Sequence, residues 1–176
     1  MLAMATSISL NEYLNTSYRP DCDYVDGEVR ERCCGLSPHA RMLSVLAGEF
    51  WIPTREAGLR TLLLVRTRVS PDRVRIAEVC VVRREAPMED VIETPPLLVI
   101  EVLQEDDTME DQTERVRDFI GMGVGSVWVI DPVGRAAFVA GAGGELVKEE
   151  EELRVAGSEI CLSVRQLFAE GTKLSQ

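Results

Sequence analysis

Pro96-Leu97-Leu98-Val99-Ile100-Glu101-Val102-Leu103 holds one carboxylate, Glu101, inside an otherwise apolar run. Pro95-Pro96 stops the run on one side and Gln104 to Asp107 on the other, so it reads as a strand buried on both faces. A lone carboxylate in such a strand is costly unless it is paired, protonated or bound to a metal. Val74-Arg75-Ile76-Ala77-Glu78-Val79-Cys80-Val81-Val82 repeats the anomaly one strand earlier. Alternation puts Glu78 on a face with Val74, Ile76, Cys80 and Val82, and Glu101 on a face with Leu97, Val99 and Leu103. If the two strands pair, the carboxylates can converge. Two hard oxygen ligands, completed by backbone carbonyls and water, suit Mg²⁺ or Mn²⁺. Such an ion polarises a phosphoryl oxygen and acidifies water, as phosphodiester hydrolysis requires. A nearby basic side chain would stabilise the developing charge, and Arg115 is the candidate.

The surrounding pattern predicts the elements that carry these residues. Ser9-Leu10-Asn11-Glu12 has capping-box spacing and opens a short helix to about Asn15. Asp26-Gly27 supplies the turn of a hairpin over Tyr24 to Arg30. Ser37-Pro38 starts a helix with Met42, Leu43, Leu46, Phe50 and Trp51 at helical spacing, closing near Gly58. Strands follow at 60–69 and 74–82, then a polar connection from Arg83 to Pro96 and the Glu101 strand. Asp107-Thr108-Met109-Glu110 caps a second long helix, with Met109, Val116, Phe119 and Ile120 facing the core and Gly121 and Gly123 ending it. Ser126 to Pro132 is another buried strand. Short strands at 136–140, 145–148 and 153–155 precede a final helix over 163–168.

Strand, helix and strand from 97 to 131 predict a βαβ crossover, with the other strands added as antiparallel hairpins. The expectation is an α/β fold: one domain over 1–176, its mixed sheet flanked by helices, with a flexible tail at about 170–176. Trp51, Phe119 and Trp128 are read as core residues.

Composition narrows the function. The net charge of −11 argues against strong non-specific adhesion to nucleic acid or anionic lipid. Arg66, Arg68, Arg73, Arg75, Arg83 and Arg84 nevertheless form a basic strip around Glu78. It reads either as a phosphate-binding surface or as a solvated hairpin face. The apolar runs are too short for a membrane helix, and Met1 to Ser7 has no basic n-region, so a cytoplasmic protein is expected.

Five scattered cysteines without a C-x-x-C pair, and a single histidine, argue against structural zinc. Cys80 reads as a small buried hydrophobe. Cys33 or Cys34 with His39 lacks an orienting Asn or Asp, so no thiol hydrolase is read. His39, second in its helix after Ser37-Pro38, is read as a packing or capping residue ahead of a role at the site. The plain alternatives for the other candidates are a buried ion pair of Glu101 with Arg115 or Arg117, and a surface pair of Arg115 with Asp111.

Tyr24-Val25-Asp26-Gly27-Glu28, Ser37-Pro38-His39, the Glu78 strand, Pro95 to Leu103, and Gly123-Val124 followed by Val127-Trp128-Val129-Ile130-Asp131-Pro132 together resemble the Uma-type endonuclease family. The resemblance runs from about Tyr13 to Phe168. It implies a restriction-endonuclease-like, PD-(D/E)XK fold and a Mg²⁺- or Mn²⁺-dependent endonuclease that hydrolyses DNA.

Carried over residue by residue, the family's metal-binding aspartate falls at Glu78 and its glutamate at Glu101. Its basic residue, moved onto the following helix, falls at Arg115, while Leu103 occupies that residue's usual place. Two departures stand out: the usual Pro-Asp is Ala77-Glu78, and the usual lysine is Arg115. Arginine keeps the charge but cannot take a proton from water. These departures, with the −11 charge, define the alternative expectation: a catalytically inactive nuclease-fold binding or assembly module. DNA is the expected partner, held weakly without assistance, and a homodimer would let one subunit's basic strip complete another's cleft.

Overall fold

The computed structural model describes residues 7–32, 37–105 and 107–173. In chain order the elements are α1 (Leu10–Leu14), β1 (Cys22–Val25), β2 (Glu28–Glu31), α2 (Ser37–Glu56), β3 (Leu59–Ser70), β4 (Arg73–Arg83), β5 (Leu98–Val102), α3 (Met109–Met122), β6 (Val127–Asp131), β7 (Ala136–Ala140), β8 (Leu146–Glu149), β9 (Glu152–Arg154), β10 (Cys161–Ser163) and α4 (Val164–Lys173).

Eight strands form one mixed sheet. Its order is β2-β1-β4-β5-β6-β7-β8, with β3 paired to β4. β5 and β6 are parallel, so the α3 crossover predicted from 97 to 131 is present; every other pairing in this sheet is antiparallel. The short β9–β10 pair stands apart. Two apolar layers enclose the sheet. Met42, Val45, Leu46 and Phe50 of α2 and Leu167 and Phe168 of α4 pack on Val79, Val81, Leu98, Ile100 and Trp128. Val116 and Phe119 of α3 pack on Cys80, Val82, Val99, Val127 and Val129. Among the described residues no helix is long and apolar enough to cross a membrane.

Local chemistry explains most element ends. Ser9 caps α1 through its hydroxyl, which accepts from the Glu12 amide at 3.1 Å. Asp26 and Gly27 both take positive φ, 52° and 93°, the backbone of a tight hairpin turn. Thr108 caps α3, and Gly123 closes it at φ 95°, whereas Gly121 lies inside the helix.

Some expectations fail. Trp51 is 62% exposed and Met109 66% exposed, so neither belongs to the core. Helical spacing selects a face, but positions at its margin, such as Trp51 beside Phe50, are not resolved by spacing alone. β10 was not anticipated, because three residues carry too little alternation to read. α4 extends to Lys173, beyond the expected end at Phe168, and 174–176 of the expected tail lie outside the described residues.

Candidate active site

The two anomalous carboxylates meet at the point where β4 and β5 part. Val79 pairs with Ile100, Cys80 with Val99 and Val81 with Leu98, and one step beyond this ladder Glu78 stands across from Glu101. Both are almost fully buried, at 1% exposure. The Glu78 amide points at Glu101 Oε1 at 3.4 Å, and the Val102 amide donates to Glu78 Oε2 at 2.6 Å.

Simple alternation does not hold at Glu78. Ala77 and Cys80 both face the α3 layer, while Val79 and Val81 face the α2 layer. The face therefore switches at Glu78. Across the ladder, Leu63 pairs with Val79 and Val65 with Ala77, but Leu64 between them has φ 52°. A left-handed leucine within a strand is strained. The break turns Glu78 away from the Cys80 face and toward the start of α2.

There it meets two hydrogen-bond donors that were not assigned to the site from sequence. His39 Nε2 lies 2.8 Å from Glu78 Oε1. An ionised carboxylate only accepts, so Nε2 carries the proton. His39 is thus a partner of Glu78 and not the packing or capping residue expected. Arg32 Nη2 donates to the same Oε1 at 2.7 Å and lies 3.8 Å from Glu101 Oε2, while its Nη1 donates to the Ile76 carbonyl at 2.9 Å.

Glu101 is held from the other side by α3. Arg115 donates to Glu101 Oε2 from Nε at 2.9 Å and from Nη2 at 2.5 Å, and Nη2 also donates to the Ile76 carbonyl at 2.9 Å. Its Nη1 donates to Asp23 Oδ2. The surface pair with Asp111 is not formed; the buried pair with Glu101 is.

Asp23 on β1 is the residue sequence reasoning missed. It is 3% exposed, accepts from the Ile76 amide at 2.8 Å and is paired to Arg75 at 3.1 Å. The signal existed. Cys22-Asp23-Tyr24-Val25 buries all four residues, and Asp23 is the same anomaly as Glu78 in a shorter run. Three buried carboxylates thus face three guanidinium groups, those of Arg32, Arg75 and Arg115.

Burial works to raise the Asp23 carboxyl, but Arg115, Arg32, Arg75 and the Ile76 amide outweigh it and hold it below its ordinary value. Burial likewise opposes ionisation of Glu78, and the hydrogen bond from His39, the charge of Arg32 and the Val102 amide prevail, leaving it low. At Glu101 burial wins, helped by the adjacent Glu78 charge, and its carboxyl sits above the ordinary range despite Arg115 and Arg32.

The donor chemistry fits a hard divalent cation. Both side chains offer only oxygen, Glu101 Oε1 has among the described residues no closer donor than the Glu78 amide at 3.4 Å, and a cation would favour the ionised form that burial opposes. Among the described residues no three His, Cys, Asp or Glu side chains converge as a ready cluster. Remaining ligands would have to come from backbone carbonyls and water.

The predicted basic strip is largely consumed within the fold. Arg66 pairs with Asp21 at 3.0 Å and Arg68 with Glu93 at 3.1 Å. Arg73 binds Asp26, Glu114 and Asp118, and Arg75 binds Asp23, Glu114 and Asp118. Cys80 is buried and its thiol is pushed up to about 12 by burial, so it is inert packing. Cys33 and Cys34 lie outside the described residues.

A mixed sheet crossed by one βαβ unit, with paired acids where two central strands part, defines a restriction-endonuclease-like domain. The chain belongs to the Uma2 family, described as "Putative restriction endonuclease", whose match covers residues 10–168. It is similar in fold to the crystal structure of "a putative nuclease belonging to DUF820 from Anabaena variabilis", with a TM-score of 0.77 and 20% identity over 93% of this chain and 99% of that one. No curated protein matches the chain.

Proposed function

We propose that the protein is a divalent-metal-dependent endonuclease acting on DNA, with Glu78 and Glu101 as the ligands of a Mg²⁺ or Mn²⁺ ion. The observation that carries this reading is the meeting of two fully buried carboxylates across adjacent strands, one of them raised by burial. Membership of a restriction-endonuclease family supports DNA as the substrate. The bound ion would supply Lewis-acid polarisation of a phosphoryl oxygen and acidify water in the site.

The chain's own residues have separate tasks. The Val102 amide and His39 fix Glu78, while Arg115 fixes Glu101 with two hydrogen bonds. Arg115 spends four of its five N–H groups on Glu101, Asp23 and Ile76, which leaves one Nη1 N–H for charge developing on phosphate. It cannot act as general base. His39, the single histidine of the sequence, is committed to Glu78 through Nε2, which leaves Nδ1 as the ring nitrogen not engaged with that carboxylate.

A calorimetric Mn²⁺ titration of the wild type beside Glu101→Gln tests the site. Saturable binding that disappears in the variant is expected; no binding in either removes the metal site. One observation favours a second reading. The three buried carboxylates are already matched by three arginines, as they would be in a nuclease-fold binding module without turnover. The paired change Glu78→Asp with Arg115→Lys separates the two. Cleavage of duplex DNA in Mn²⁺ by the double variant alone would mark the natural chain as the inactive module.

A further inference from the structure

We infer that Arg32 is an internal cation holding the place of the divalent ion, which it yields to the metal before moving its own charge onto the phosphate of the substrate. The inference rests on the metal-site reading of Glu78 and Glu101. Arg32 Nη2 is 2.7 Å from Glu78 Oε1 and 3.8 Å from Glu101 Oε2, so it stands between the two carboxylates that would hold the ion. No other guanidinium is within ion-pair distance of both acids among the described residues.

Arg32 differs from Arg115 in its freedom to move. Arg115 rises from the middle of α3 and is tied to three elements beyond it, β1, β4 and β5. Arg32 follows the last residue of β2, keeps 15% of its side chain exposed and, among the described residues, hydrogen-bonds only to Glu78 and the Ile76 carbonyl, both on β4.

Its position also divides the surface over the site. One cavity of about 280 Å³ is lined by Asp21, Arg32, His39, Leu64, Glu78 and Gln104. A second, of about 220 Å³, is lined by Asp23, Arg32, Arg75, Gln104 and Arg115. Arg32 and Gln104 line both. With Arg32 swung out, Glu78 and His39 on one side and Asp23 and Arg115 on the other would share one cleft. A guanidinium displaced by a divalent ion leaves a site whose positive charge has grown by one, beside a cation suited to bidentate phosphate contact. The ion and the anionic substrate would then enter in that order.

The experiment is a Mn²⁺ titration by calorimetry of the wild type, Arg32→Gln, Arg32→Met and Glu101→Gln, followed by anisotropy of a labelled DNA duplex in Ca²⁺. Loss of the competing cation is expected to tighten Mn²⁺ binding about tenfold or more, the change produced by removing one modest ion pair. The same two variants should bind duplex DNA in Ca²⁺ about tenfold more weakly, as expected on losing a charge-assisted phosphate contact. Equal or weaker Mn²⁺ binding in both Arg32 variants, or unchanged DNA binding, overturns the inference. If Mn²⁺ binding is present in the wild type, lost in Glu101→Gln and unaltered at Arg32, this inference falls while the metal site stands. Silence in all four proteins removes both.

If one Arg32 variant does not fold, the other carries the titration. Melting in EDTA and in Mn²⁺ supplies a second readout. Each Arg32 variant should melt below the wild type in EDTA and be raised more than the wild type by Mn²⁺. A uniform loss in both conditions would overturn the exchange of one cation for the other.

Discussion

Arg115→Met tests the charge balance that holds the site together. The substitution keeps volume on α3 but removes four hydrogen bonds, two to Glu101, one to Asp23 and one to the Ile76 carbonyl. Asp23 is left with Arg75 and the Ile76 amide. Glu101 is left with Arg32 at 3.8 Å and the Glu78 amide at 3.4 Å, neither a good hydrogen bond. Breaking a buried pair from one side costs about 3–5 kcal/mol, because the other charge stays buried without compensation.

For a chain of this size that loss corresponds to a melting point lower by about 6–20 °C. It should also depend on pH. Glu101 is already raised above the ordinary carboxylate range by burial and rises further without Arg115. A group raised on folding binds its proton more readily in the folded state, so the deficit shrinks as pH falls through that raised value and is full above it. Asp23 runs oppositely. It is held low, and its contribution is lost only below the ordinary range, so a comparison of pH 7 with about pH 5 isolates Glu101. Urea unfolding at the two pH values measures both effects, and Arg115→Met with Glu101→Gln should recover part of the loss. A deficit under about 1 kcal/mol at pH 7, or no recovery in the double variant, would refute the reasoning.

Other consequences can be checked on the same protein. Leu64→Val should cost about 1–2 kcal/mol in urea unfolding, since a β-branched side chain resists positive φ, while Leu64→Gly should be neutral or stabilising. His39→Ala removes a donor from buried Glu78 and should cost about 1–3 kcal/mol, partly restored by His39→Gln; equal loss in both would indicate packing alone. Mn²⁺ at about a hundred times its dissociation constant should stabilise the wild type by about 2.7 kcal/mol and leave Glu101→Gln unmoved in a thermal melt.

The long buried strands made the fold legible. β5 is apolar apart from Glu101 and β6 apart from its last residue, Asp131, and the amphipathic α3 between them leaves little choice but a crossover. The acids were legible for the same reason, since a carboxylate is conspicuous only against apolar neighbours. Arg115, the partner of Glu101, was legible too, but the partners of Glu78 were not. Arg32 and His39 lie in polar or terminal stretches where a charge is unremarkable, and only the fold brings them to Glu78. The basic strip misled because a count of arginines along the chain ignores the acids that other elements deliver, here Asp21, Asp23, Asp26, Glu93, Glu114 and Asp118. Alternation misled at Glu78 because it assumes an unbroken pleat, and Leu64 breaks it from the neighbouring strand.

That break joins the fold to the proposed chemistry. Had β4 kept its alternation, Glu78 would have stayed on the Cys80 face, pointing toward α3 with Glu101. Two buried carboxylates side by side would then have depended on Arg115 alone, and their mutual repulsion would have pushed one of them to protonate. Turning Glu78 toward α2 gives each acid its own hydrogen-bond partners, His39 with Arg32 for one and Arg115 for the other. Their edges still remain close enough for the Glu78 amide to reach Glu101. Separate partners for the two acids limit that repulsion, although burial and the Glu78 charge still hold Glu101 above the ordinary range. On the proposed reading, Arg32, the guanidinium within ion-pair distance of both acids, would be the group that gives way to a divalent ion.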